Sequence, residues 1–123
     1  MYRSTISLLA VAPLVWGCAS FPPPTQRMAD ATAAERSAGE LGANSDPGAQ
    51  LSMKLAEEQL AQGKKAMADG DNKRADSLFI RAKADAELAI AQAREDMARI
   101  DVQKAADASS AQKAANLGQG SVK

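Results

Sequence analysis

Residues 49–93 read AQLSMKLAEEQLAQGKKAMADGDNKRADSLFIRAKADAELAIAQA, and this stretch decides the fold. On each side of Gly70, apolar or small residues recur at alternating spacings of four and three, which is typical of the buried face of a helix. The first series is Ala49, Met53, Ala56, Leu60, Gly63 and Met67, and the second is Ala75, Phe79, Ala82, Ala86, Ala89 and Ala93. The pattern therefore predicts two helices joined near Gly70.

The two series mirror each other about residue 71. In an antiparallel hairpin that turns at Gly70 and Asp71, Phe79 would face Gly63, and Met53, Leu60 and Met67 would each face an alanine. Packing large residues against small ones lets a thin seam reach native density. Chance periodicity in an alanine-rich segment is the competing interpretation, so the positions other than alanine carry the prediction of a hairpin over residues 47–95.

Composition favours helices along the whole domain. Good helix formers dominate, and beyond residue 24 there is one proline, Pro47, and one aromatic residue, Phe79. Strands favour β-branched and aromatic residues, which are scarce here. Turn-forming residues at 42–47 and 69–72 divide the run, so we expect helices at about 26–41, 47–69 and 72–115. The fold class is all-α: an antiparallel hairpin or a small three-helix bundle with a long C-terminal helix.

The third helix outruns its hairpin partner beyond about residue 95. Met97, Ile100 and Val102 are apolar residues of this overhang. We expect the overhang to remain solvated or to pair with a second copy or another helix, and these three residues are the candidate partner surface. The first helix carries a stripe that should pack on the third: Ala31, Ala34, Ala38 and Leu41.

The N-terminal residues have the features of an export signal. Arg3 supplies one positive charge, and residues 6–16 form an uncharged apolar run, shorter than the roughly 20 residues that a membrane span needs. The one cysteine, Cys18, follows Gly17, and this resembles the lipobox of bacterial lipoproteins. The resemblance implies cleavage before Cys18 and lipidation of its thiol. Ordinary signal cleavage after Ala19 and a buried structural cysteine are the competing interpretations.

On the lipoprotein interpretation the chain has four parts: a signal peptide over 1–17, the lipidated Cys18 with a proline-rich spacer over 18–26, a helical domain over 27–116 and a flexible tail over 117–123. Loss of Arg3 leaves a net charge of about −1, which gives no electrostatic reason to bind nucleic acid. Ala19 and Ser20 follow the cysteine where aspartate would resemble an inner-membrane retention signal. The resemblance implies the periplasmic face of the outer membrane.

Residues that carry catalysis are missing from the sequence. Histidine is absent, which excludes the usual catalytic triads and zinc sites. The carboxylates are spaced to form ion pairs along helices: Arg81 with Asp85, Lys83 with Glu87 and Glu95 with Arg99. We therefore expect no enzyme activity, no cofactor and no metal.

Two family resemblances centre on the turn. The spacing of Gly63, Ala66 or Met67, Gly70-Asp71, Ala75, Phe79 and Ala82 resembles a tetratricopeptide repeat without its tryptophan, its terminal proline or a second copy. Residues 51–93 more closely resemble the short exported lipoproteins that carry domain of unknown function 4398. The LAEE start, the AMADGD turn and the run from Ala82 to Ala89 carry that resemblance. It implies an alanine-rich hairpin and supplies no catalytic residue.

Two non-catalytic functions follow as expectations. The first is a helical scaffold that is held to the membrane through Cys18 and binds an envelope protein or a second copy. The second is a tether to peptidoglycan, because the chain ends in Lys123 and so resembles the major murein lipoprotein, whose C-terminal lysine is joined to the cell wall. The preceding residues, Gly120-Ser121-Val122, depart from that family's basic, aromatic ending.

Overall fold

The computed structural model describes residues 21–120, which form three helices and no strand. These are α1 (Thr25–Glu40), α2 (Gln50–Ala68) and α3 (Asn72–Gly120). The prediction of an all-α fold with a long C-terminal helix is confirmed. Consecutive helices run antiparallel, so α1 lies parallel to α3, with Arg27 near the start of α1 paired to Asp76 near the start of α3. The signal peptide and Cys18 lie outside the described residues.

Two apolar clusters form the core. The cluster next to the α2–α3 turn contains Ala31, Leu60, Ala66, Ala75, Leu78, Phe79 and Ala82, with Met28 and Met67 at its edge. The cluster at the other end contains Ala38, Ala43, Ala49, Met53, Ala89 and Ala93, with Leu41 and Ile90 at its edge. Ala31 and Ala38 of the predicted stripe are buried in these clusters, and α1 packs more extensively on α3 than on α2. The core is therefore a thin layer in which alanine sets the helix spacing.

A glycine in the left-handed region ends α1. Gly42 has a φ of +81°, and its N–H donates to the Gly39 carbonyl at 3.0 Å. The N–H of Ala43 donates to the Ala38 carbonyl at 3.1 Å. These two bonds form a Schellman motif, and Ala38 and Ala43 share the second core cluster, as the motif's usual apolar contact requires.

Five of the six helix boundaries differ from the sequence prediction, three of them by one residue. The first helix begins at Thr25, inside the segment assigned to the spacer, and α3 continues to Gly120, through the first residues of the predicted tail. The second helix begins at Gln50, later than the expected residue 47. Asp46 explains the last difference: its Oδ1 accepts the Gly48 N–H at 3.0 Å, so residues 47–49 form a separate capped turn before the helix.

Candidate functional site

In the turn between α2 and α3, Asp71 makes one hydrogen bond that ends α2 and another that begins α3. Gly70 has a φ of +83°, and the Asp71 N–H donates to the Ala66 carbonyl at 2.9 Å, which closes a second Schellman motif. The Asp71 Oδ1 then accepts the Arg74 N–H at 3.1 Å and caps α3. One residue thus ends one helix and starts the next, and this makes the reversal tight.

Phe79 meets Gly63 at close range in the seam between α2 and α3. Phe79 has no exposed surface, and a Cβ added at Gly63 would lie 2.6 Å from its Cε1 atom. Real side chains do not approach so closely, so only glycine fits here. Met53 and Leu60 are buried on the same seam, whereas Met67 is half-buried and the neighbouring Ala66 is the buried residue. The last turn of α2 therefore presents Ala66 as well as Met67 to α3.

One polar contact across this hairpin was not foreseen from sequence. Asp85 accepts a hydrogen bond from Gln59 Nε2 of α2, whereas its spacing in the sequence predicted an ion pair with Arg81 on its own helix. The other two predicted pairs do form on α3: Lys83 Nζ lies 3.7 Å from Glu87 Oε1, and Arg99 Nη2 lies 2.6 Å from Glu95 Oε1. Asp85 is half-buried and faces α2, so a partner from across the seam replaces the intrahelical one.

The N-terminal segment is held at the turn end of the bundle. The Asn72 side-chain Nδ2 donates to the Phe21 carbonyl at 2.8 Å. The Arg27 Nε lies 3.3 Å from Asp76 Oδ1 and holds the start of α1 against the start of α3. Phe21 and the start of α1 therefore lie at the end of the domain opposite to the C-terminal overhang.

The overhang of α3 is solvent-exposed along its whole described length. Every residue from Met97 to Gly118 is exposed, including Met97 at 41 %, Ile100 at 45 % and Val102 at 70 %. Helical spacing places Met97 and Ile100 on the face that continues the seam of Ala89 and Ala93. Val102 lies on the opposite face. The three residues predicted as one partner surface therefore belong to two surfaces.

A groove lies where the loop before α2 meets α3. It is lined by Asp46, Pro47, Gly48, Gln92, Glu95, Asp96 and Arg99. Across residues 21–120, the Asp, Glu, Cys and His side chains form no group of three that could hold a metal ion. No helix in the same part of the chain is long and apolar enough to cross a membrane.

The fold, the turn and the overhang together define an alanine-rich three-helix bundle with one extended helix. The model of the family named domain of unknown function DUF4398 matches residues 26–105, and the chain belongs to this family. The match covers α1 from its second residue, all of α2, and α3 as far as residue 105 in the overhang. Comparison with curated proteins and with solved structures finds no match.

Proposed function

We propose that this chain is an outer-membrane lipoprotein whose bundle is a non-catalytic scaffold that presents the overhang of α3 to a protein partner on the periplasmic side. The lipobox-like sequence at Cys18 supports the anchor. The exposed apolar residues of the overhang support a binding role, since the rest of the seam face is covered by α2 and α1.

The position of Phe21 carries the proposal. Its carbonyl accepts a hydrogen bond from Asn72, the first residue of α3, and Cys18 precedes Phe21 by three positions in the sequence. At 1.5 Å per residue, α3 extends for about 73 Å from Asn72 to Gly120. A lipid on Cys18 would hold one end of the domain and leave the overhang distant from the point of attachment. This arrangement suits presentation of a surface to another molecule.

Photo-crosslinking in intact cells tests the binding role. The full chain would carry a photo-reactive amino acid at Ile100, and a matched chain would carry it at Ile80. Both isoleucines are equally exposed, at 45 % and 44 %, but Ile80 lies on the bundle rather than on the overhang. We expect a discrete adduct from position 100 and none from position 80. Equal adducts at both positions, or none at either, would refute the role of the overhang.

Metabolic labelling with a fatty acid tests the anchor independently. We expect the wild-type chain to incorporate the label and to fractionate with outer membranes, and Cys18→Ser to lose both properties. Processing of Cys18→Ser after Ala19 to a soluble mature form, with a wild-type chain that is also unlabelled, would instead favour ordinary signal cleavage.

A tether to peptidoglycan is the second candidate, and the length of α3 favours it. The helix carries the chain to Gly120, far from the Phe21 end, and Lys123 follows shortly after. Muramidase digestion of purified sacculi would release a Lys123 peptide linked to muropeptide if the tether is covalent. Lys123→Arg is the matched control because it keeps the charge and removes the amine. Sacculi that release no linked peptide would exclude this form of attachment.

A further inference from the structure

The overhang carries the pattern of a second seam. The face that holds Ala89 and Ala93 continues to Met97 after a second spacing of four in succession, and from Met97 spacings of three and four alternate through Ile100, Lys104, Asp107, Ala111 and Ala114. All six of these residues are exposed, because α2 and α1 end before this part of α3. A face that is buried along the bundle is therefore unpartnered along the overhang.

This face is complementary to itself in the antiparallel direction. Its residues mirror each other about the midpoint between residues 105 and 106. Two copies placed head to tail would set Met97 against Ala114, Ile100 against Ala111, and Lys104 against Asp107. Each large residue meets a small one and each charge meets its opposite. The hairpin of α2 and α3 uses the same large-to-small rule, with Phe79 on Gly63.

We propose that the overhang forms an antiparallel two-helix coiled coil with a second copy of this chain, related by a two-fold axis. This inference rests on the proposed role of the overhang as a binding surface and names its partner. The contact would extend over residues 97–114, about five helical turns on each copy. The two Phe21 ends would lie at opposite ends of the resulting rod.

Charge selects this register over its neighbours. A shift of one heptad in one direction sets Lys104 against Ile100, and a shift in the other sets it against Ala114, so neither gives Lys104 an opposite charge. A parallel pair would set Lys104 against Lys104 and Asp107 against Asp107. Within one chain these side chains make only exposed contacts, with Lys104 Nζ 3.9 Å from Asp101 Oδ1 and Gln103 Nε2 2.9 Å from Asp107 Oδ1. Such surface contacts contribute little and leave both charges available.

Charge-reversal variants at Lys104 and Asp107 test the proposal. Each variant is made in the full chain and kept in detergent solution, and sedimentation measures the dissociation constant of the dimer. Lys104→Asp and Asp107→Lys each place like charges at both symmetric contacts, and we expect each to weaken the dimer about tenfold. An equimolar mixture of the two variants restores opposite charges at both contacts, and so does the double variant. Both should return to the wild-type affinity. Lys113→Asp, on the outer face of the same helix, is the matched control and should leave the affinity unchanged.

The outcomes separate this inference from the proposed function. A wild-type chain that stays monomeric overturns the inference. A wild-type dimer that is much weaker than the dimer formed by the mixture also overturns it, because that result indicates a parallel pair. A monomer whose position 100 still gives an adduct with another protein leaves the proposed function standing. Circular dichroism of each variant shows that the helices remain formed.

Discussion

The ring of Phe79 packs directly against the backbone of Gly63, and no other residue could occupy position 63 without displacing it. A Cβ there would lie 2.6 Å from Cε1 and 2.8 Å from Cδ1 of the ring. Phe79 is the one large side chain that is fully buried among the described residues, so a displacement of its ring would disturb the core cluster in which it packs. This contact fixes both the spacing and the register of the hairpin.

Gly63→Ala should therefore destabilise the protein although alanine is the better helix former. We expect overpacking to cost about 1–3 kcal/mol, which outweighs a gain in helix propensity of roughly 1 kcal/mol. Urea unfolding followed by circular dichroism measures the change. In the Gly63→Ala background, Phe79→Leu should recover part of the loss by making room for the methyl group.

Gly39→Ala is the matched control for that experiment. Gly39 also lies inside a helix, but a Cβ there would be 3.6 Å from Asn44 Nδ2 and 3.8 Å from Met53 Cε, which are ordinary contact distances. We expect this variant to raise the free energy of unfolding by up to about 1 kcal/mol. If Gly63→Ala were equally stabilising, the close packing of Phe79 would be disproved.

Gly70→Ala tests the turn separately from packing. A Cβ at Gly70 would meet nothing within 4 Å, so the whole cost comes from a φ of +83°. We expect a loss of about 1–2 kcal/mol for alanine and a smaller loss for Gly70→Asn, because asparagine tolerates the left-handed region. Gly118→Ala is helical and equally uncrowded, and it should cause no loss. Unfolding midpoints in urea would show the ranking, and an unchanged midpoint for Gly70→Ala would contradict it.

Alanine at position 86 should be required by the close approach of α2 and α3. Ala86 is fully buried, whereas Ala84 on the same helix is exposed. Ala86→Leu should cost about 1–3 kcal/mol by overpacking, and Ala84→Leu should change stability by less than about 0.5 kcal/mol. Thermal unfolding compares the two. Tolerance of leucine at both positions would show that the seam is looser than the structure indicates.

Truncation of the overhang after residue 102 should leave the bundle intact. Residues 103–118 are all exposed, so a chain that ends at residue 102 loses no core contact. We expect the same free energy of bundle unfolding and a lower helix content by circular dichroism. The truncated chain should also be monomeric at every concentration, and a clear loss of bundle stability would show that the overhang folds back onto it.

The α2–α3 hairpin could be predicted from the sequence because several features within one short segment indicate it independently. Alternating spacings mark each helix face, Gly70 and Asp71 mark the turn, and the mirror about residue 71 pairs Phe79 with Gly63. These features depend on neighbours along the chain and on a short connection, so the physics of helix periodicity and turn geometry suffices to find them.

The packing of α1 on α3 was expected from the sequence, but the register of α1 and the use of each surface were decided only in three dimensions. Arg27 meets Asp76, and Leu78 is buried in the cluster that contains Ala31, although no spacing in the sequence links these residues. Asp85 turns to Gln59 because burial against α2 offers a partner across the seam. Stripes of alanine look alike on every helix, so periodicity shows which face is buried but not the register in which a neighbouring helix covers it. That choice follows from summed contacts between segments distant in sequence, and only the folded chain brings those segments together.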